Sequence, residues 1–157
     1  MKFHPLVLAL LLGIVAPVAL AETLRCPDLA NAVQAGTCPA EEDLRYTYTA
    51  YCSDDARMYR GDNELCADYR RYRKAKNVVL WESADGAFQG YVSCDVPAAT
   101  LRQAKAASMT VGKQGKITRL ACSYGEGVVF SYRSRGECKV QSGADCSAAG
   151  ACTADCE

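Results

Sequence analysis

The chain has 157 residues, 18 basic and 18 acidic side chains, and one histidine, His4. A neutral balance of this kind does not call for nucleic acid, and the length suits one domain with a modest core. His4 falls in a segment expected to be removed, so the mature part would lack histidine; that excludes Ser-His-Asp and Cys-His catalysis, histidine-ligated metals and the usual acid–base group near neutral pH.

In chain order, Met1-Lys2 gives a short positive start and residues 6–20 form an apolar run. Ala19-Leu20-Ala21 then has the small-x-small form of a cleavage site, so residues 1–21 read as a secretory signal peptide and the mature chain as starting at Glu22. No later stretch is long and apolar enough to span a membrane, which predicts no transmembrane segment in the mature chain and a periplasmic or secreted location. All ten cysteines follow the cut, an even count that reads as five disulfides. No Cys-x-x-Cys pair is present, so neither a metal nor another cofactor is expected.

Residues 26–38 read as a capped short helix or turn in which Leu29 and Val33 share a face. A first long helix is expected from Pro39, with Glu41, Glu42 and Asp43 in its first turn, to a stop at Gly61. A second, capped by Asp62 or Asn63, is expected to run to Lys76. Together they predict a helical hairpin stapled by Cys52–Cys66. The pairs Cys26–Cys38 and Cys94–Cys122 are also expected, with Cys138, Cys146, Cys152 and Cys156 paired among themselves.

The period changes at Asn77. Val78-Val79-Leu80-Trp81 reads as a strand, Asp85-Gly86 as a turn, 88–96 as the returning strand and 98–107 as a short helix. An antiparallel meander follows: a strand at 108–111, a turn at 112–115, a strand through Ile117, Leu120 and Cys122, a turn at Gly125-Glu126-Gly127, and a returning strand at 128–132. A tight turn at Ser134-Arg135-Gly136 leads into Cys138-Lys139-Val140. The order predicts an α+β domain over 22–140, an N-terminal helical hairpin packed on a meander. Residues 141–157 form a small-residue, cysteine-containing tail whose composition cannot supply a core.

Glu41, Glu42, Asp54, Asp55, Glu82, Asp85 and Asp95 could pair for glycosidase chemistry, but no spacing singles out two of them. With no nucleophile motif either, no catalytic residues are assigned and the protein reads as non-enzymatic. Residues 101–139 hold eight basic and two acidic side chains, so the meander is basic. Arg133, Arg135 and Gly136, with Tyr124 and Glu126 nearby in the meander, form the expected partner-binding site, because arginine grips carboxylates in a two-pronged geometry. Arg70, Arg73 and Lys74 on the second helix form the alternative patch.

Leu120-Ala121-Cys122-Ser123-Tyr124, Val128-Val129-Phe130 and Cys138-Lys139-Val140 resemble the endings of lysozyme-inhibitor-like periplasmic proteins and immunity proteins of bacteria. The resemblance covers residues 119–140; the helices, the ten cysteines and the tail lie outside its pattern. It implies an inhibitor or immunity protein whose partner is another protein, a cell-wall hydrolase. A secreted disulfide-rich effector or toxin, a structural subunit of an envelope complex, and an enzyme working with carboxylates alone are the rival expectations.

Overall fold

The computed structural model describes residues 22–61, 63–141, 145, 146 and 152–157. The signal-peptide reading of 1–21 and the Asp62 cap lie outside the described residues. The described residues form nine strands: β1 Glu22–Arg25, β2 Val33–Gln34, β3 Val78–Glu82, β4 Gln89–Ser93, β5 Ser108–Gln114, β6 Ile117–Ser123, β7 Val129–Ser134, β8 Cys138–Val140 and β9 Thr153–Cys156. The helices are α1 Glu41–Cys52, α2 Asp55–Arg60, α3 Asn63–Cys66, α4 Tyr69–Lys76 and α5 Ala98–Gln103. The protein is thus a mixed helical and antiparallel-sheet fold.

Alternation builds the main sheet. Side chains two apart along a strand share a face. Val79, Trp81, Val92, Met109, Leu120, Cys122 and Phe130 are therefore turned into one core. Their neighbours Leu80, Tyr91, Arg119 and Arg133 face the other way. The sheet has the order β2-β3-β4-β7-β6-β5, antiparallel throughout. Leu24, Leu29, Leu101 and Ala154 cover its apolar face, so β1, β9, α5 and a 3-10 turn at Leu29–Asn31 close the core on that side. Leu29 and Val33 do not share a face: Leu29 is buried in the turn, while Val33 is an exposed residue of the edge strand β2.

Two turns differ from the expected meander. The first hairpin turns at Gly115-Lys116, because Gln114 pairs with Ile117 and β5 runs straight through Gly112 and Lys113. Nor is Arg133–Gly136 the tip of a hairpin. β8 leaves the main sheet and joins a second, three-stranded sheet of order β1-β9-β8. The tail folds back as the middle strand of that sheet, with Cys152, Ala154 and Cys156 buried. Ala154 and Cys156 of β9 pack into the main core, and Cys138–Cys156 and Cys146–Cys152 tether the tail.

The five disulfides are Cys26–Cys122, Cys38–Cys94, Cys52–Cys66, Cys138–Cys156 and Cys146–Cys152. The Cys52–Cys66 staple is as expected, and the last four cysteines do pair among themselves. Cys26–Cys38 and Cys94–Cys122 are replaced by the crossed pairing. Strand order is the reason: β7 lies between β4, which leads to Cys94, and β6, which holds Cys122. Two strand spacings come to about 10 Å, beyond the roughly 7 Å that a disulfide can bridge. Five disulfides with no free cysteine belong to an oxidising compartment. No helix among the described residues is long and apolar enough to cross a membrane.

The expected pair of long helices is replaced by four short ones. Asp54 accepts a hydrogen bond from the Ala56 amide (2.8 Å) and Asp68 one from the Arg71 amide (3.0 Å). Each aspartate caps a new helix and stops its predecessor from running on. These helices keep a core of their own, in which buried Cys52, Cys66 and Tyr72 pack with Tyr48, Tyr51 and Leu65. Tyr48 meets Tyr72 and Tyr69 edge to face, with centroids 5.3 and 5.5 Å apart. The join to the sheet is polar and covalent. Arg73 holds both oxygens of Asp95 (2.9 and 3.1 Å) and one of Glu41 (3.0 Å), Asn77 also donates to Asp95, and Cys38–Cys94 closes the connection.

Candidate functional site

The uncovered face of the main sheet is the most distinctive surface of the molecule. Tyr91 stands on β4 opposite Leu80, and its ring is 69% exposed. One row along, Gln89 donates to Glu82 (3.0 Å) and pairs in register with Ser131. Arg133 on β7 lies directly opposite Arg119 on β6, so two guanidinium groups rise side by side. The Arg119 Nε donates to Ser131 Oγ at 2.9 Å. Leu80, Tyr91, Arg119, Ser131 and Arg133 line a cleft of about 380 Å³.

The β5–β6 hairpin extends this basic end. Every residue from Thr110 to Ile117 is exposed, including Lys113 and Lys116. Lys113 pairs with Glu137, which ties the hairpin to the segment before β8. Arg135 is exposed in that same segment. Gly136 has a packing role there, since a Cβ at this position would overlap the carbonyl of Glu157. Its amide donates to Ser134 Oγ at 2.9 Å.

The other expected site residues lie elsewhere. Tyr124 is buried; its hydroxyl donates to the Pro27 carbonyl (2.5 Å) and its ring meets Phe130 edge to face. Burial, helped by the charge of Asp28, pushes its phenol above the ordinary range. The residue fastens the N-terminal segment to β6. Glu126 sits at the opposite end of β7 from Arg135, in a turn where Gly125, Glu126 and Gly127 all have positive φ. Glycine adopts this conformation freely, whereas a glutamate is strained by it.

Glu126 comes close instead to the alternative patch. Arg70, Lys74, Tyr91, Val96 and Glu126 line a cleft of about 620 Å³ between α4 and the sheet. Arg70 and Lys74 are exposed on its wall, but Arg73 is spent on Asp95 and Glu41. Tyr91 therefore stands on the ridge between two clefts with basic walls. Tyr91, Lys116 and Arg119 were not singled out by the sequence reading. Tyr91 and Arg119 alternate with buried neighbours, a signal that could have placed them on an outer face.

Glu41, Asp85 and Asp95 among the candidate carboxylates have structural partners. Glu41 accepts from Tyr69 (2.8 Å) and Arg73, and these two bonds lower its pKa. Asp85 accepts from Ser83 Oγ (2.5 Å) and the Ala87 amide (3.0 Å), again lowering the pKa. The Arg73 fork does the same to Asp95. Such groups stay ionised, whereas a glycosidase acid needs a raised pKa. The sulfurs of Cys26, Cys146 and Cys152 lie within 4.8 Å of one another, but all three are in disulfides and carry no thiolate charge to hold a cation. Compared with known proteins, the chain matches no family model, no curated protein and no solved structure.

Proposed function

We propose that this is an exported, non-enzymatic binding protein of the bacterial periplasm that inhibits or neutralises a cell-wall-degrading enzyme. The observation that carries the reading is the Arg119–Arg133 pair on an open sheet face beside the exposed ring of Tyr91. Arginine and tyrosine are the side chains most often found at binding hot spots. Two neighbouring guanidinium groups complement the paired carboxylates in the cleft of a glycosidase, which two-pronged, charge-assisted hydrogen bonds would engage. The β5–β6 hairpin, exposed along its whole tip, is the part of this surface best able to enter a cleft.

The experiment is capture of partners from periplasm and culture medium on the oxidised protein, with identification by mass spectrometry. The expected catch is a wall glycosidase whose activity falls when the complex forms. Arg133→Glu should weaken that complex at least tenfold, about 1.4 kcal/mol, without changing the melting temperature by more than a few degrees. Recovery of envelope subunits or a host surface protein, with no hydrolase, would replace this reading with that of a structural subunit or a secreted effector.

A further inference from the structure

Arg119 and Arg133 are direct partners in an antiparallel ladder, which brings their Cα atoms to about 4.5–5.5 Å. Like charges so placed destabilise a sheet. Several basic side chains elsewhere are paired with acids: Arg45 and Arg73 with Glu41, Arg57 with Asp54, Arg71 with Asp68, Lys105 with Asp28 and Lys113 with Glu137. Among the described residues no carboxylate lies within ion-pair distance of Arg119 or Arg133. Glu82, an acid on the same face, is held by the Gln89 amide.

The surroundings leave this pair open. Arg119 spends its Nε on Ser131, which orients the guanidinium and leaves the N–H groups of both Nη atoms for a ligand. On β5 the residue paired with Arg119 is Gly112, so no side chain covers that flank. On the other flank is the cleft containing Leu80 and Tyr91, an apolar wall for the body of a ligand.

We propose that Arg119 and Arg133 form a receptor for two carboxylate groups presented together by one ligand, each arginine taking one group. The assignment rests on the binding function inferred above, where an acidic enzyme cleft would supply the carboxylates. The two positive charges match two negative ones, and filling the site relieves the repulsion between the arginines. Neutralising either arginine should stabilise the empty protein at low salt, as for any like-charged cross-strand pair. What an ordinary solvated arginine pair would not show is a response to a dicarboxylate, beyond the response to chloride, that is lost with either arginine.

The test uses the full oxidised chain and the dicarboxylate glutarate, with inorganic phosphate and sodium chloride at matched ionic strength as the other arms. Glutarate should raise the melting temperature by about 2 °C more than chloride does and should shift the NMR signal of the Arg119 Nε–H. Arg119→Gln and Arg133→Gln should each melt slightly above the unaltered protein at low salt and lose the glutarate effect, while Arg70→Gln keeps it. Equal responses to glutarate and chloride would overturn the proposal, as would a glutarate effect that survives both substitutions. A response to phosphate alone would overturn the carboxylate assignment. A glutarate site in a protein that captures no hydrolase would leave the receptor standing and remove the inhibitor reading; capture of a hydrolase that Arg133→Glu does not weaken would do the reverse.

Discussion

Phe130 and Tyr72 are both buried aromatic residues, and what surrounds them differs. Phe130 is fully buried in β7 among Leu120, Met109, Leu101 and the other apolar side chains of the sheet. Tyr72 in α4 has two cysteines, Leu65 and the rings of Tyr48 and Tyr51 for company. The sheet stands mainly on buried apolar area, the dominant favourable term in folding. The helices between Glu41 and Lys76 are too short to hold themselves and bury too little. They depend on Cys52–Cys66, on Cys38–Cys94 and on the Arg73 clamp. A region inserted between β2 and β3 can thus keep its shape without sharing the main core.

The largest effects should come from the sheet. Phe130→Ala is expected to cost about 3–5 kcal/mol, seen as a lower denaturant midpoint for the whole molecule. Tyr72→Ala should speed amide exchange in α1 and α4 while β6 and β7 stay protected. A uniform loss of protection from Tyr72→Ala would show that the two regions unfold as one.

Next come the disulfides. Cys38–Cys94 spans 56 residues and encloses the whole helical region, whereas Cys52–Cys66 spans 14 within it. Replacing both members by alanine should cost about 4 kcal/mol for the first and about 3 kcal/mol for the second. Losing the inner bridge should reduce the helical signal in circular dichroism and leave the strand signal intact.

The smallest effect concerns pH. Asp95 and Glu41 both have folded pKa values below their ordinary 3.8 and 4.5, Asp95 chiefly through the Arg73 hydrogen bonds and Glu41 through those of Tyr69 and then Arg73. A carboxylate lowered in this way contributes stability above its unfolded pKa and loses it as pH falls through the folded value. The helices should therefore loosen from the sheet below pH 3.8, with full attachment at neutral pH. Amide exchange in α4 followed across that range should show the change, and Arg73→Gln should reduce its pH dependence to the part that Tyr69 maintains on Glu41.

Much of the sheet was legible because short apolar runs bounded by turn glycines mark strands; β3, β6 and β7 fall close to where those signals place them. Disulfide pairing was not legible, because Cys26 and Cys122 meet through a strand order that no local pattern encodes. Asp54 read as one of the candidate glycosidase acids, and neither it nor Asp68 read as a helix cap, yet their side chains cap and divide the helices. The tail read as a segment whose composition could not supply a core, yet Cys152, Ala154 and Cys156 are buried, because β9 is paired on both sides and held by two disulfides. At the candidate site Arg133 was legible as a basic residue near a turn. Its partnership with Arg119 depends on the β6–β7 register, which is set by the turn between Tyr124 and Val128.

The two regions also carry the two rival binding surfaces, Arg119 with Arg133 on the sheet and Arg70 with Lys74 on α4. The most direct measurement is the affinity of the captured partner for Arg133→Glu and for the double variant Arg70→Glu with Lys74→Glu. The sheet-centred account predicts at least a tenfold loss for the first and a change within about twofold for the second. Tight binding by Arg133→Glu together with a collapse in the double variant would contradict it and move the site to the helices.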